Sequence, residues 1–243
     1  VWMGGGRWVP LAGARVTVAG IREDSRRKHA AMVDPYMGAA YDVHKRFGRW
    51  DDMLLEPPPP QELRITRAMW RFTRGLAYAA MGDLAAAERE RVEFRSAVAR
   101  VPEDAMMAIN SAHHVLRIAG HMLDGEIALA RRDIDAGTAA LREAVALEDQ
   151  LRYMEPPEWV QPVRHTLGAV LVSAGRFEEG EKVYREDLAK WPANGWSLYG
   201  LKQCLERRGS ESEAEVAAEQ FRRAWARADT RIGSSCLCVT LAE

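Results

Sequence analysis

The chain has 243 residues, 47% hydrophobic and 28% charged, with a formal net charge of −1. So even a balance removes any chain-wide electrostatic case for nucleic acid or an anionic membrane surface, and no run approaches the ~18 apolar residues that a membrane span needs. Three cysteines, Cys204, Cys236 and Cys238, are too few for a disulfide framework, so a reducing cytoplasm is the expected compartment.

Residues 1–33 carry glycines, tryptophans and then the basic stretch IREDSRRKHA. The opening lacks the ordered basic, apolar and cleavage regions of a secretory signal. Its start on Val1 rather than Met fits a fragment of a longer protein. VTVAGI is a candidate strand with no partner nearby, so this region is expected to be poorly ordered or a truncated segment.

From Asp34 the pattern becomes helical. Asp34-Pro35 reads as an N-cap followed by Pro at the first helical position. A helix through Tyr41 and His44 ends near Gly48, and its partner from Trp50 to Leu55 stops at Pro57–Pro60, because proline cannot continue a helix. This first hairpin is truncated. A longer one follows, Glu62–Met81 and Leu84–Val101, with Gly82-Asp83 as its turn. An extended helix is predicted over about Glu103–Arg131, paired with Asp135 to about Leu151. The proline-rich insertion YMEPPEWVQP leads into a regular unit over Pro162–Trp191. The last unit starts at Pro192-Ala193-Asn194-Gly195 and runs to about Arg227. Residues 34–230 are therefore the repeat domain, and 231–243 an irregular tail.

A spacing of 34 residues links these pieces: Gly48 to Gly82, Gly168 to Lys202, Gly175 to Gly209. That is the length of a tetratricopeptide helical hairpin. The period stretches in the middle, where Gly75 to Gly125 is 50 residues and Gly125 to Gly168 is 43. The segments EPPEW, PVRH, PANGWSLYGL and RFGRWDDMLLEPPPP resemble a group of bacterial tetratricopeptide-repeat (TPR) proteins. The resemblance implies an all-α fold: an α-α superhelix, or TPR-like solenoid, of about four helical hairpins with a concave groove and a protein-binding role. The chain departs from the pattern at Lys202, at Arg132 where a turn glycine is expected, and at Gly137 and Gly180, which each weaken a helix by roughly 1 kcal/mol against Ala.

In such a fold the first helix of each hairpin faces the groove. The 3.6-residue period projects Phe72, Met122, Glu126 and His165 there, and Trp196, Tyr199 and Gln203 in the last unit. Aromatic platforms and carboxylates outnumber cations such as Lys45, so a basic or apolar peptide suits this face better than an acidic tail. The function expected is a non-enzymatic scaffold that binds a protein or peptide partner. No cofactor is expected, and the truncated end hairpins leave room for self-association.

The alternative is a metal- or small-molecule-binding protein, or a hydrolase, built on groove His and Glu residues. Its candidate ligands are His114, His121, His165, Cys236 and Cys238. His114 and His121 are seven apart, ~10 Å along a helix at 1.5 Å per residue, too far to share one ion unaided. The zinc-protease, phosphate-loop, nucleophile-elbow and dinucleotide motifs are missing from the sequence. Trp159 in EPPEWVQP is expected to anchor its loop, with a lid over the groove as the competing role.

Overall fold

The computed structural model describes residues 21–155 and 157–237, with backbone only over 25–27. Its helices follow one another as antiparallel pairs. They are α1 (Ala39–Arg46) and α2 (Trp50–Leu55); α3 (Arg64–Ala80) and α4 (Leu84–Val98); α5 (Ala112–Ala130) and α6 (Ile134–Glu148); α7 (Val163–Ser173) and α8 (Phe177–Lys190); α9 (Gly195–Arg207) and α10 (Glu211–Ala224). The protein is mostly helical, as expected. Five hairpins are present among the described residues rather than about four, because the truncated α1–α2 pair precedes four complete ones. Two short helices, Glu23–Lys28 and Ala30–Val33, come before them, so residues 21–33 are more regular than their composition suggests. VTVAGI falls, but for Ile21, outside the described residues.

Each hairpin closes on the same turn. The residue after the C-cap takes a left-handed φ: Gly48 (59°), Gly82 (81°), Arg132 (64°), Gly175 (73°) and Gly209 (75°). Its N–H and that of the next residue return to carbonyls in the last helical turn. At the α3–α4 turn these bonds are Gly82 N to Ala79 O at 3.1 Å and Asp83 N to Tyr78 O at 2.9 Å. This is the Schellman arrangement, which satisfies carbonyls left over at a helix end. The residue that completes it then caps the next helix. Asp83 accepts from Ala86 N at 2.9 Å, and Asp133 from Ala136 N at 3.0 Å. Where an arginine takes that position, it clamps an acid three residues on: Arg49 to Asp52 and Arg176 to Glu179, both at 2.7 Å. Arg132 fills the turn position that the other hairpins give to glycine.

The described residues fall into two compact units divided between Val160 and Gln161. In the first, α3 packs on α4, on α5 and on the short α1–α2 pair, and α5 packs on α6. Phe72, Leu116, Ile118, Met122, Leu123, Ile127 and Leu141 fill its core, each such side chain contributing roughly 1.5–3 kcal/mol on burial. Asp34 does not cap a helix of its own, which is a correction to the local reading. It lies in a 3-10 turn, Asp34–Tyr36, and its carboxylate accepts from Ile65 N and Thr66 N at 2.8 Å each, capping α3 from 31 residues upstream. Gly137 has a purpose that helix propensity does not register. Its α-carbon faces α5, and a methyl group there would lie 2.6 Å from Leu129 Cγ.

The predicted extended helix over 103–131 is not formed. The helix starts at Ala112, and before it Met106–Met107 pair antiparallel with Asn110–Ser111 in a small hairpin (β1 and β2). Ala108 takes a φ of 48° in the turn between them. Pro102 follows the preceding helix, which ends at Val98, and Asn110 holds the hairpin in place. Its side chain accepts from Arg152 N at 2.9 Å and donates to Arg152 O at 3.3 Å and Glu158 Oε1 at 2.9 Å. The two insertions that stretch the repeat are thus bonded to each other. In the second unit α7 packs on α8, and α9 on α7, α8 and α10. Among the described residues no helix is long and apolar enough to cross a membrane.

Candidate functional site

In the first unit the projected groove positions become an interior rich in ionisable groups. Phe72 and Met122 are core residues, 0% and 1% exposed. The Phe72 ring meets Phe94 at 6.2 Å and Trp159 at 5.9 Å between centroids. Trp159 is therefore the buried anchor of its loop rather than a lid. Lys45, from α1, stands 4.5 Å above the Trp159 ring and 5.6 Å from that of Phe72, with Asp42 Oδ1 at 3.5 Å. Aromatic faces attract a desolvated cation. Burial nevertheless pushes the Lys45 amine below its ordinary value, against the opposing charge of Asp42, and burial likewise raises Asp42.

Glu126 on α5 is also buried, and burial alone lifts its carboxyl to about 8. Its Oε1 has no hydrogen-bond partner among the described residues. A carboxyl lifted this far keeps its proton at neutral pH, and its burial leaves no exposed contact for a peptide.

Of the histidines proposed as ligands, His114 and His165 are bonded elsewhere in the protein. His114 Nε2 lies 2.8 Å from Leu147 O, tying α5 to α6, and His113 Nε2 lies 3.1 Å from Val101 O. His121 is partly exposed and lines a cleft with Arg117 and Asp124. Cys236 is disulfide-bonded, so its sulfur is not a thiolate ligand in this state, and it also accepts from Gln161 Nε2 at 3.1 Å. Cys238 lies outside the described residues. Among the described residues no three His, Cys, Asp or Glu side chains come close enough to hold a metal ion together.

His165 belongs to a polar cluster in the second unit. Asp187 Oδ2 accepts from His165 Nε2 at 3.2 Å, Asn194 Nδ2 at 2.9 Å and Ser197 Oγ at 2.6 Å, and all four side chains are buried. Burial by itself raises this carboxyl. The charge and hydrogen bond of His165, the Ser197 hydroxyl and the charge of Arg164 outweigh it and hold Asp187 below its usual value. A serine, a histidine and an aspartate meet here without the order that nucleophilic catalysis needs. Ser197 donates to Asp187 and not to His165, and the cluster is closed to solvent. What it does is join α7, α8 and the start of α9. Asn194 adds a cap, accepting from Trp196 N at 3.1 Å.

Around this cluster, Tyr184 passes between two glycines. A methyl group on Gly168 or Gly200 would lie 2.4 or 2.1 Å from its Cζ. Its hydroxyl donates to Ser235 Oγ at 2.6 Å, which donates onward to His165 O at 2.8 Å. The tail is therefore fastened at Ser235 and Cys236, although its described residues, 231–237, form no helix or strand.

Trp196 is fully buried, edge-on to Trp225 at 5.2 Å, and contributes packing rather than surface. Tyr199 and Gln203 are partly exposed on α9. Tyr199 meets Phe221 at 5.3 Å, Phe221 stacks on Trp225 at 5.5 Å, and Lys202 Nζ lies 5.9 Å from the Tyr199 ring. Gln203 donates to Gly233 O at 3.3 Å. Of the seven groove positions, these two present surface. Asp187, Asn194 and Asn110 were missed in the sequence. A signal existed for Asp187 alone, as an acid on the apolar stripe of Val183 and Tyr184.

Fold and site together define an all-α protein of antiparallel helical hairpins with closed polar clusters in its interior. No protein-family model, no curated protein and no solved structure matches the chain.

Proposed function

We propose that the chain is a tetratricopeptide-like repeat protein acting as a non-enzymatic interaction module, with a peptide or helix of a partner protein as its ligand. The observation that carries this reading is the hairpin turn, repeated at residues 48, 82, 132, 175 and 209 with the same left-handed geometry. A chain that copies one supersecondary unit along its length gains surface rather than a single enclosed site. The interior clusters support the same view, because buried Asp187 and Glu126 offer a substrate no approach. Tyr199 and Gln203 are the contact residues that remain partly exposed, and with Phe221 and Trp225 they form an aromatic face suited to an apolar or basic segment.

The test is affinity capture with the full chain against Tyr199→Ala/Gln203→Ala, followed by mass spectrometry. A defined partner retained by the wild type and lost by the variant, with helix content unchanged by circular dichroism, is the expected result. Identical capture by both proteins would remove these residues from the binding surface.

A further inference from the structure

Several arginines of the first unit are matched to acids. Arg71 and Arg74 hold Glu90 at 2.9 and 2.8 Å, and Arg95 meets Asp124 at 3.0 Å. Three are not. Arg64, Arg67 and Arg100 meet no carboxylate among the described residues, yet they surround one cleft of about 650 Å³ between the start of α3 and the end of α4. Each guanidinium is positioned by a neutral acceptor instead. Arg64 Nη1 donates to Arg100 O at 3.0 Å, Arg67 Nη1 to Pro59 O at 2.5 Å, and Arg100 Nη2 to Ser96 Oγ at 3.3 Å.

A guanidinium has five N–H donors, so one such bond orients the fork and leaves the rest for a ligand. Arg64 and Arg67 are one turn apart and share a helix face. Three like charges at one cleft repel, and a multiply charged anion removes that cost. The one acid in the lining, Glu103, is exposed and pairs with none of the three. The N–H groups at the start of α3 are not available, because Asp34 accepts from Ile65 and Thr66. Anion binding therefore falls to the guanidiniums.

The geometry points to a binding site for a small molecule that carries a phosphate or diphosphate group, held by Arg64, Arg67 and Arg100. Guanidinium forks match phosphate oxygens in pairs, and a single carboxylate offers too few acceptors for three forks. The cleft volume lies within the roughly 300–1,000 Å³ of small-molecule sites. Nothing in this assignment depends on the proposed partner binding, since its residues are separate from Tyr199 and Gln203.

Calorimetric titration of the full chain with inorganic pyrophosphate, at about 0.15 M salt to screen diffuse attraction, tests it. Saturable one-to-one binding is expected, weakened about tenfold or more by Arg64→Ala/Arg100→Ala and unaffected by Arg117→Ala, an exposed arginine outside the cleft. Arg64→Lys/Arg67→Lys/Arg100→Lys keeps the charge and loses the forks, and is also expected to bind weakly. Circular dichroism checks that each variant is folded, and a pyrophosphate-dependent rise in melting temperature, seen in the wild type alone, is a second readout. Absence of saturable binding to the wild type, equal weakening by Arg117→Ala, or full binding by the lysine variant would each overturn the assignment.

Discussion

Glu126 and Asp187 are both buried carboxylates, and their surroundings drive them in opposite directions. Glu126 has burial and nothing to offset it, so its folded-state value rises to about 8. Between its ordinary value near 4.5 and about 8, the folded protein holds a proton that the unfolded chain releases. Stability contributed by this residue is therefore full in acid and declines as pH rises through that window. Glu126→Gln, which cannot ionise, should flatten the decline and leave the variant more stable than the wild type near pH 8. Denaturant melts at acid and alkaline pH check it; equal slopes for the two proteins would contradict it. The sequence placed Glu126 on the inner face of its helix. It did not show that no cation would reach it, because partners from other elements are set by packing.

At the scale of elements, the hairpin turns were the most legible part of the chain, because glycine at a left-handed position is a local requirement. Arg132 tests that argument from the other side. A non-glycine residue in the left-handed region costs roughly 1–2 kcal/mol, against roughly 0.5–1 kcal/mol for the extra entropy of an unfolded glycine. Arg132→Gly should therefore stabilise the protein by about 0.5–1 kcal/mol, read as a higher melting temperature, whereas a lower one would mean that the arginine side chain contributes more than its backbone costs. The stretched units were legible as lengths and not as shapes. Sixteen extra residues with alanine and methionine read as more helix. Asn110 instead ties a strand turn to Arg152 and Glu158, 42 and 48 residues away. Asp34 is a similar case, since a local N-cap pattern serves a helix that begins 30 residues later.

For the whole molecule, the division at Val160 and Gln161 places Asp187, His165, Asn194 and Ser197 within one unit. Asp187→Ala removes the acceptor for three buried donors, which costs about 3–5 kcal/mol for a buried ion pair broken on one side. Because the Asp187 carboxyl is held below its ordinary value, its contribution is present above the unfolded carboxyl's range and lost as pH falls through the folded one. The difference between wild type and variant should thus be largest near neutrality and shrink in strong acid. Amide hydrogen exchange should show lost protection in α7–α9 first; an even loss across α3–α6 as well would mean that the cluster acts beyond its own unit.

By itself the sequence determined the mostly helical class, most hairpin boundaries (the start of α5 excepted) and the repeated turn, because periodicity, proline and left-handed glycine act over a few neighbouring residues. Only the tertiary structure decided which projected side chains stay at the surface. Phe72, Met122 and Trp196 turned inward while Tyr199 and Gln203 remained partly exposed, and helical period alone cannot separate the two groups. It also decided that Arg64, Arg67 and Arg100 share a cleft. Their forks meet because two antiparallel helices bring together the start of one and the end of the other, and that contact is a property of packing.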